Sequence, residues 1–599
     1  MTVPQRLAAL RAQMTAHHID IYYIPTDDYH CSEYVGDFFK CRRWISGFTG
    51  SAGVVVVTQK EAGLWTDGRY FLQAADQLSG STIHLYRMGE TGVPTVTEYL
   101  AMTLRDGQCL GFDGRTVTAA WVDELTRALG GKDVRLCTDV DLVGEIWTDR
   151  PAISCRPVWL LEETYAGKTR ADKLCSLRYQ LKSEHIDWLV LSTLDDIAWL
   201  LNIRGDDVAY NPVVLSYLMV SQNSIRLFVQ PDALSVPVRD ALAHDGVRCF
   251  PYEDITAHLS ALTGCTVQLD RRSTSTALVS ALSESVTLVD AVSPTQLSKA
   301  VKNPTEIRNI REAHRADGAA LVRFLHWLKQ NIGRIPITEI SAAECLEQFR
   351  KEQRHYLQPS FDPIAAYGSH SAVVHYSATP ESNAELRPEG FLLLDTGGQY
   401  LEGTTDVTRT VALGPITDTM RRHYTAVLRG NLNLAAAVFR SGCTGVNLDV
   451  LARAPLWELG LDFNHGTGHG VGYLLSCHEG PNSFRWKISP NPSDNAVFQE
   501  GMVTSDEPGV YLTGQYGIRL ENLLVCRKSR RTEFAQFLCF EPLTLVPFDR
   551  DAIDPSQMTA HELSLLNEYH ARVFRELSPR LDENDRLWLE EQTRPISAF

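Results

Sequence analysis

"FLLLDTGGQYLEGTTDVTRT", residues 391–410, is the stretch that decides the fold of the second half of this 599-residue chain. It opens with an apolar run that ends at Asp395, and a second carboxylate, Asp406, follows eleven residues later. Gly397 and Gly398 lie between the two acids and are typical of a turn that joins two strands. We therefore predict a β-hairpin that brings Asp395 and Asp406 close together.

A second pair of acids repeats this arrangement further along the chain. Glu507 lies in "SDEPG" and Glu521 in "GIRLEN", fourteen residues apart around the turn "TGQYG". Any one of these acids alone would more often lie on a solvated turn, but an ionised carboxylate within an apolar strand is costly unless it is paired or bound to metal. Two carboxylates at close range both stay ionised only beside a compensating cation. Together the four acids predict a metal site.

"HGTGHGVG", residues 465–472, adds two histidines to the four acids. Its glycines would each cost a helix about 1 kcal/mol relative to alanine, so the segment is predicted to be extended. In an extended segment His465 and His469 point to the same face. Either histidine alone would more often be structural, but beside four carboxylates one of them is expected to bind metal.

An oxygen-rich donor set with a single nitrogen suits manganese, cobalt or zinc. Five protein ligands exceed what one tetrahedral catalytic site needs, so two ions that share bridging carboxylates fit better. Such ions would hold a hydroxide between them, which predicts hydrolytic chemistry.

The length and composition of the chain limit the class of protein. A chain of 599 residues is expected to fold as two to four domains. Hydrophobic residues at 44% and charged residues at 22% are typical of a soluble globular protein and exclude disordered, collagen-like and coiled-coil chains. A formal charge of −16 argues against nucleic acid or an anionic membrane as a partner. Because it lacks both a signal peptide and an apolar run of about 18 to 20 residues, the chain is expected to be cytoplasmic.

Two segments in the first half begin alike. "HIDIYYIPTDDYH" from His18 and "HIDWLVLSTLDDIAW" from His185 are each predicted to form an apolar strand, an Asp-Asp pair and a helix. Coincidence between two ordinary α/β units is the alternative, because the distance to the next glycine turn differs between them. We favour a duplicated α/β domain with boundaries near Pro157 and Leu297.

A third domain is expected to begin near "NPTEIRNIREAH", where Thr305 would cap a helix and Glu306 would lie in its first turn. Its later part has the pattern of strands bounded by glycines. The last segment, from about 536 to 599, is predicted to be helical, and its apolar face could pack on its own domain or on a second subunit. The predicted fold class is α/β (α+β), with domains at 1–156, 157–298 and 299–599.

The acids and His469 carry a family resemblance. Their order and their motifs, "DTGGQYLEGTTDVTRT", "HGTGHGVG", "HEGP" and "SDEPG" followed by "GIRLEN", resemble the pita-bread metallopeptidases. Within that group the chain resembles the long, three-domain, cytosolic form of aminopeptidase P, the Xaa-Pro aminopeptidase. "GFTGSAG", "WTDGRYFLQAADQL" and "FEPLTLVP" extend the resemblance over nearly the whole chain. It implies two creatinase-like α/β domains followed by a pita-bread catalytic domain.

The resemblance implies a role for each of the five donors. Asp395 would bind one ion, and His469 and Glu507 would bind the other. Asp406 and Glu521 would bridge both ions. Glu507 would also accept the proton of the nucleophilic water.

Three further histidines match family positions that contact the substrate. His375 in "AVVHYSATP" and His478 in "CHEGP" would bind the scissile carbonyl and stabilise the tetrahedral intermediate, although outside the family they would more often be ordinary loop histidines. His465 would line the pocket for proline. Arg409 is expected to pair with a metal-bound carboxylate, which suits its fork of donors. Arg69 in "WTDGRYF" is either part of a structural strand-helix junction or a contribution to the substrate cleft.

The implied activity is release of the N-terminal residue from short peptides with proline in second position, by attack of a metal-bridging hydroxide on the scissile carbonyl. Proline fixes φ at about −65° and supplies no N–H, so a pocket shaped for its ring is needed. The leaving nitrogen must be protonated, and either a histidine or water is a reasonable donor. The resemblance also implies two divalent ions per subunit, with manganese favoured over zinc or cobalt, and a homodimer formed through the C-terminal domain.

Two alternative functions remain. A prolidase shares the metal ligands but takes only Xaa-Pro dipeptides, so activity on a tripeptide separates the two enzymes. A catalytically inactive pita-bread protein that serves as a binding module would be expected to lose metal ligands, whereas all five are present here. Methionine aminopeptidase fits less well, because the two N-terminal domains have no place in it.

Overall fold

The computed structural model describes residues 1–489 and 495–597. Both helices and strands occur throughout, which confirms the predicted α/β class. Among the described helices, none is long and apolar enough to cross a membrane. The chain divides into two compact units, the first made of Met1–Glu162 and Lys168–Thr295 and the second of Glu163–Gly167 and Gln296–Phe599.

A six-stranded sheet lies in the first part of the first unit. Its strands are β1 (Ile21–Pro25), β2 (Val54–Thr58), β3 (Ala62–Thr66), β4 (His84–Arg87), β5 (Cys109–Gly111) and β6 (Arg135–Cys137). The helices of this part are α1 (Val3–Ala16), α2 (Cys41–Ser46), α3 (Phe71–Gln77), α4 (Val96–Thr103), α5 (Ala119–Leu129) and α6 (Leu142–Ile146). The sheet order is β4-β3-β2-β1-β5-β6, antiparallel from β1 to β3 and parallel elsewhere. Tyr22 and Ile24 enter one apolar cluster and Ile21 and Tyr23 another, so both faces of β1 are covered.

A second six-stranded sheet follows in the same unit. The strands of this part are β7 (Trp159–Leu160), β8 (Trp188–Leu191), β9 (Ile203–Arg204), β10 (Ser216–Ser221), β11 (Ile225–Val229), β12 (Val247–Phe250), β13 (Thr266–Leu269) and β14 (Thr287–Asp290). The helices are α7 (Glu163–Ala166, part of the second unit), α8 (Arg170–Ser183), α9 (Leu194–Leu201), α10 (Val236–His244), α11 (Ile255–Ser260), α12 (Thr276–Ser280) and α13 (Pro294–Ala300, part of the second unit from Gln296 on). The order β12-β11-β10-β8-β13-β14 repeats that of the first sheet, and the strand directions match. The predicted duplication of an α/β domain is therefore confirmed.

The two "HID" segments occupy the same place in their sheets. His18 and His185 follow the ends of α1 and α8, and both have positive φ, 55° and 58°. Asp20 accepts a hydrogen bond from the first residue of β5, and Asp187 accepts one from the first residue of β13, each at 2.8 Å. The repeat in the sequence is thus also a repeat in the structure.

The segments after β5 and β13 exchange main-chain hydrogen bonds. Ala119 N donates to Thr274 O at 3.0 Å, and Thr276 N donates to Val117 O at 2.8 Å. The two halves of the first unit are joined through these segments.

The second unit contains short strands arranged in several small sheets. The described strands are β15 (Tyr356–Pro359), β16 (Ile364–Tyr367), β17 (Phe391–Thr396), β18 (Gly398–Tyr400), β19 (Gly403–Thr404), β20 (Val407–Ala412), β21 (Val438–Arg440), β22 (Gly468–His469), β23 (Ser483–Phe484), β24 (Val503–Asp506), β25 (Gly509–Leu512), β26 (Tyr516–Arg519), β27 (Asn522–Arg531) and β28 (Gln536–Pro542). Their sheet orders are β15-β18-β19, β16-β17-β20, β21-β28-β27-β24, β22-β23 and β25-β26.

Helices of the second unit pack on these sheets through several apolar clusters. They are α14 (Pro304–Asn331), α15 (Glu339–Lys351), α16 (Asp418–Ala435), α17 (Val450–Trp457), α18 (Ala560–Leu577) and α19 (Glu583–Thr593). The helical C-terminal segment begins later than predicted, because Gln536–Pro542 is strand β28. Leu566 and Val573 of α18 pack in one cluster with Val322 of α14, so this apolar face is buried within its own unit.

The predicted hairpin is present, but its connection is more elaborate than a turn. β17 and β20 are antiparallel neighbours, with Asp395 opposite Thr408. Asp406 directly precedes β20, so the two aspartates lie close together. Between them β18 and β19 form a smaller hairpin that pairs with β15 rather than with β17.

Candidate metal centre

All five predicted donors belong to one cluster in the second unit. Nε2 of His469 lies 3.5 Å from Oδ2 of Asp406 and 3.4 Å from Oε1 of Glu507. One donor atom each from Asp406, His469 and Glu521 lie within 4.8 Å of one another. Asp395 lies close enough that its charge adds to the effect of burial in raising the pKa of Asp406 to about 6.

Strand ends bring the acids together. Asp395 is the last residue but one of β17, Asp406 precedes β20, Glu507 follows β24 and Glu521 precedes β27. Two contacts join Glu521 to Thr408 of β20: its N–H donates to the carbonyl of Thr408 at 3.0 Å, and its carboxylate accepts from Oγ1 of Thr408 at 2.8 Å. Two antiparallel strand pairs, β17–β20 and β24–β27, therefore meet here, and each contributes two acids.

Glycines allow the main chain to approach His469 closely. A Cβ on Gly468 would lie 1.8 Å from the carbonyl oxygen of Ser505, and one on Gly470 would lie 2.0 Å from that of Glu479. The N–H of His469 donates to Oγ of Ser505 at 2.9 Å. Alternating glycines are required because three chain segments meet at this histidine.

The electrostatics of the cluster favour a cation. Burial, together with the charges of Asp406 and Asp395, raises the pKa of Glu507 to about 8 against the opposing effect of Arg519. Burial and the same two aspartates raise the pKa of Glu521 well above its ordinary value. The described side chains thus do not supply enough positive charge to keep all the acids ionised, whereas bound divalent ions would.

The donor set fits such ions. Oδ1 of Asp395 is buried and has no hydrogen-bond partner among the described residues. Four carboxylates and one imidazole suit hard or borderline divalent metals. Carboxylates have two oxygens each, so a central acid can contact two ions at once.

A chain of hydrogen bonds links Asp395 to His465. Arg519 Nη2 contacts Oδ2 of Asp395 at 2.6 Å, and its Nη1 donates to the hydroxyl of Tyr511 at 2.7 Å. The Tyr511 hydroxyl lies 2.9 Å from Nε2 of His465. Neither Arg519 nor Tyr511 was singled out from the sequence, although Arg519 lies two residues before Glu521, a spacing that puts both on one face of an extended segment.

Arg409 does not have the role expected from its position. It donates to the main-chain oxygen of Glu521 at 2.6 Å, to Oδ1 of Asn522 at 2.8 Å and to the hydroxyl of Tyr569 at 2.9 Å. The arginine that pairs with a carboxylate of the cluster is Arg519. Neighbouring residues of a strand point to opposite faces, so Thr408 faces Glu521 while Arg409 points away toward α18.

The three other predicted histidines, His375, His465 and His478, each lie beside a different residue of the cluster or of its hydrogen-bond chain. The ring of His478 packs edge-on against that of His469, with centroids 4.2 Å apart. His465 packs against Tyr511 at 5.4 Å between ring centroids. His375 directly follows Val374, whose carbonyl lies 3.4 Å from Nη2 of Arg519.

Arg69 lies in the first unit and makes local contacts. Its Nε and Nη2 each donate to a carboxylate oxygen of Asp67 at 2.8 Å, and its guanidinium lies 5.3 Å from the ring centre of Tyr70. These contacts agree with a structural strand-helix junction. Its contribution to a substrate cleft stays a prediction.

A buried centre of four carboxylates and one histidine, set at strand ends, defines the class as a metal-dependent hydrolase. Family models match four successive segments of the chain: "Creatinase/Prolidase N-terminal domain" at residues 6–150 and again at 149–306, "Metallopeptidase family M24" at 308–528, and "C-terminal region of peptidase_M24" at 536–596. The chain belongs to metallopeptidase family M24.

Individual relatives match over the whole chain. Aminopeptidase P2 of Arabidopsis thaliana is 37% identical over 100% of this chain and 89% of its own length. A probable Xaa-Pro aminopeptidase P of Laccaria bicolor is 38% identical over 99% of this chain and 93% of its own. The crystal structure of the Caenorhabditis elegans X-prolyl aminopeptidase, a cytosolic enzyme with a di-nuclear active site, superposes with a TM-score of 0.94 at 36% identity and covers 100% of both chains.

Proposed function

We propose that this chain is a metal-dependent aminopeptidase that releases the N-terminal residue from peptides with proline in second position. The observation that carries the proposal is the close cluster of Asp406, His469 and Glu521, whose donor atoms lie within 4.8 Å of one another. It occurs in an M24 chain that aligns end to end with aminopeptidases P.

The proposed ligand assignment is the one that the family resemblance implies. Asp395 would hold one ion, His469 and Glu507 would hold the other, and Asp406 and Glu521 would be shared between them. When bound, two divalent ions lower the pKa of water and polarise a carbonyl. Manganese is proposed as the preferred metal, with zinc and cobalt as alternatives, because oxygen donors predominate.

The remaining site residues bind the substrate and move a proton. Glu507 accepts the proton of the attacking water, and Oγ of Ser505, which donates to its Oε1 at 3.1 Å, orients that carboxylate. His375 and His478 donate hydrogen bonds to the scissile carbonyl as negative charge develops on its oxygen. His465, held by Tyr511, lines the pocket for the proline ring.

The biological setting is part of the same proposal. A cytoplasmic location is supported by the cytosolic relative of known structure. A homodimer through the C-terminal domain is supported by Val450 and Trp457, which lie seven residues apart on one face of α17 and are 45% and 44% exposed in the single chain. The partition into domains 1–156, 157–298 and 299–599 also stays a proposal.

Hydrolysis of Arg-Pro-Pro by the purified chain tests the activity. The protein is stripped with a chelator and resupplied separately with manganese, zinc or cobalt, and free arginine is measured. Metal-dependent release is expected for the wild type, and Glu507→Gln should retain the fold but lose turnover. Arg-Ala-Pro serves as the control peptide and should not be cleaved.

Each alternative function has its own outcome in this assay. Cleavage of Arg-Pro but not of Arg-Pro-Pro would identify a prolidase. No release from either peptide with any metal, by protein shown to be folded, would favour a binding module. Near-normal hydrolysis by Glu507→Gln would remove Glu507 from the mechanism.

A further inference from the structure

A buried ion pair lies next to the two strands that carry Asp395 and Asp406. Arg350 of α15 donates through Nε to Oδ1 of Asp317 of α14 at 2.7 Å, and both side chains are only 3% exposed. The hydroxyl of Tyr400 in β18 also donates to Oδ1 of Asp317, at 3.0 Å. The pair therefore joins two helices to the β17–β20 region.

The same pair binds the sequence neighbours of both aspartates. Arg350 Nη2 donates to Oγ1 of Thr396, the residue after Asp395, at 3.1 Å. Oγ1 of Thr405, the residue before Asp406, donates to Oδ2 of Asp317 at 3.0 Å. Neighbours in an extended chain point to opposite faces, so the threonines are held from one face while the aspartates point to the other.

Thr405 has little room to move, because neighbouring main chain and side chains bind it closely. The carbonyl of Thr405 accepts from Oγ of Ser360 at 2.8 Å, and its Oγ1 accepts from the N–H of Gly398 at 2.9 Å. A Cβ on Gly397 would lie 2.1 Å from the carbonyl oxygen of Thr405. Movement of Thr405 would therefore displace the chain next to Asp395 as well.

A contribution to stability alone accounts poorly for this arrangement. A buried ion pair pays a large desolvation cost, and replacing it with apolar residues is often neutral or stabilising. Here Arg350 also binds the residue after one predicted metal ligand, and Asp317, besides Tyr400, binds the residue before another. Two carboxylates that bind metal ions must be held at a fixed distance from each other, and these bonds would fix that distance.

We propose that Asp317 and Arg350 are positioning residues that set the separation of Asp395 and Asp406 for metal binding. This inference rests on the proposed function, because it requires both aspartates to be ligands. The ion pair acts through Thr396 and Thr405 and touches neither substrate nor metal. Loss of either threonine hydroxyl would loosen the donor set without removing a donor.

The test uses Thr396→Val and Thr405→Val, which keep the side-chain shape and both charges of the ion pair. Thr425→Val is the matched control, because Thr425 in α16 is equally buried and its hydroxyl is hydrogen-bonded to Arg421 O and Asp554 N at 2.9 Å each. Chelator-stripped full-length protein is titrated with Co²⁺, and binding is followed by the visible absorption of the ion. Melting temperature is recorded for every variant.

Both site variants should bind Co²⁺ about tenfold more weakly than the wild type and change its absorption spectrum, as expected when an outer partner of a ligand is lost. The control should melt at a similarly lowered temperature but keep the wild-type Kd. Thr396→Ser and Thr405→Ser retain the hydroxyl and should have the wild-type Kd. They keep the proposal testable even if a valine variant fails to fold.

Two results would overturn the proposal. Lower melting temperatures with an unchanged Kd and spectrum would make the pair purely structural. Serine variants that bind as weakly as the valine variants would show that the hydroxyls are not responsible. If the wild type itself binds no Co²⁺, the metal centre of the proposed function is wrong, which is a distinct outcome.

Discussion

Tyr511 determines how His465 can meet a substrate. Arginine has only donors, so the Tyr511 oxygen accepts from Arg519 and its own O–H points to Nε2 of His465. Nε2 therefore accepts, and Nδ1–H donates to the carbonyl of Gly466, which lies 2.7 Å away. With both nitrogens engaged, His465 presents ring carbons to the substrate, which suits the apolar ring of proline.

We expect Tyr511→Phe to weaken substrate binding more than turnover. The variant keeps the aromatic ring but removes the hydroxyl that fixes His465, so KM for Arg-Pro-Pro should rise about tenfold, equivalent to about 1.4 kcal/mol of binding free energy. The fall in kcat should be smaller. Steady-state kinetics on Arg-Pro-Pro measure both constants.

Tyr516→Phe is the control for this substitution. Tyr516 lies in the paired strand β26, and its hydroxyl contacts Nδ1 of His423 at 3.0 Å instead of a site residue. KM should stay unchanged in this variant. An equal rise in KM for both variants, or a loss confined to kcat in Tyr511→Phe, would refute the positioning of His465 by Tyr511.

The sequence was informative about the donors but not about their supporting residues. Acids at the ends of apolar strands stand out because a buried charge needs compensation. Which of two arginines, Arg409 or Arg519, faces those acids depends on strand register, since a shift by one residue exchanges the two faces. Contacts such as that of Tyr511 depend on tertiary pairing and leave no local pattern.

At the level of elements, the start of α14 was predicted two residues too late. Asn303 is the cap: its Oδ1 accepts from the N–H groups of Thr305 at 2.9 Å and Glu306 at 3.0 Å. Pro304 occupies the first helical position, where its missing N–H costs nothing. The proline was therefore the signal that should have placed the cap before it.

A buried charge cluster connects α13 to the segment that carries His478. Nζ of Lys299 lies 3.1 Å from Oε2 of Glu479, and Lys302 binds the other oxygen. Burial alone would raise the pKa of Glu479, but the two lysines outweigh it and hold that pKa below the ordinary value. The ionised carboxylate is thus favoured in the folded state.

Lys299→Met should lower stability in a pH-dependent way. A depressed folded pKa stabilises the native state above the unfolded pKa, about 4.3 for glutamate, and this stabilisation is lost as the pH falls through the folded pKa. Without the charge of Lys299, the pKa of Glu479 is lowered less in the variant. The advantage of the wild type should therefore be full at neutral pH and disappear on acidification below about pH 4.

Denaturant unfolding of both proteins between neutral pH and about pH 3.5 measures this advantage. Lys528→Met is the control, since Lys528 pairs with Glu500 on the surface, where ion pairs contribute little. A difference between wild type and Lys299→Met that does not vary with pH would contradict the assigned role of Glu479.

Across the whole chain, the duplication was predictable because "HID" marks the same junction twice. The junction needs a histidine with positive φ, a buried isoleucine and an aspartate that binds the neighbouring strand. These needs are local, so the same three residues occur at both junctions. The apolar face of the C-terminal helices was predictable as a pattern, but its partner within the same unit was not. Periodicity shows that a face is buried, not what covers it.

Metal removal should destabilise the second unit. Ions that bind only the folded state stabilise it by about 2.7 kcal/mol at a concentration of about 100 times their Kd. Calorimetry of the full chain with and without a chelator should therefore show a lower unfolding temperature for the stripped protein. His469→Ala should respond far less to added manganese, and an equal response in both proteins would argue against His469 as a ligand.

The hydrogen bonds between the segments after β5 and β13 reveal an internal symmetry. Ala119 and Thr276 are equivalent positions in the two repeats, as are Val117 and Thr274, so a two-fold rotation relates the hydrogen bond from one repeat to that from the other. Thr118 and its equivalent, Ser275, face each other across the contact. A pseudo-two-fold axis therefore passes between them, and the contact between the two repeats has the self-complementary arrangement of an isologous homodimer interface.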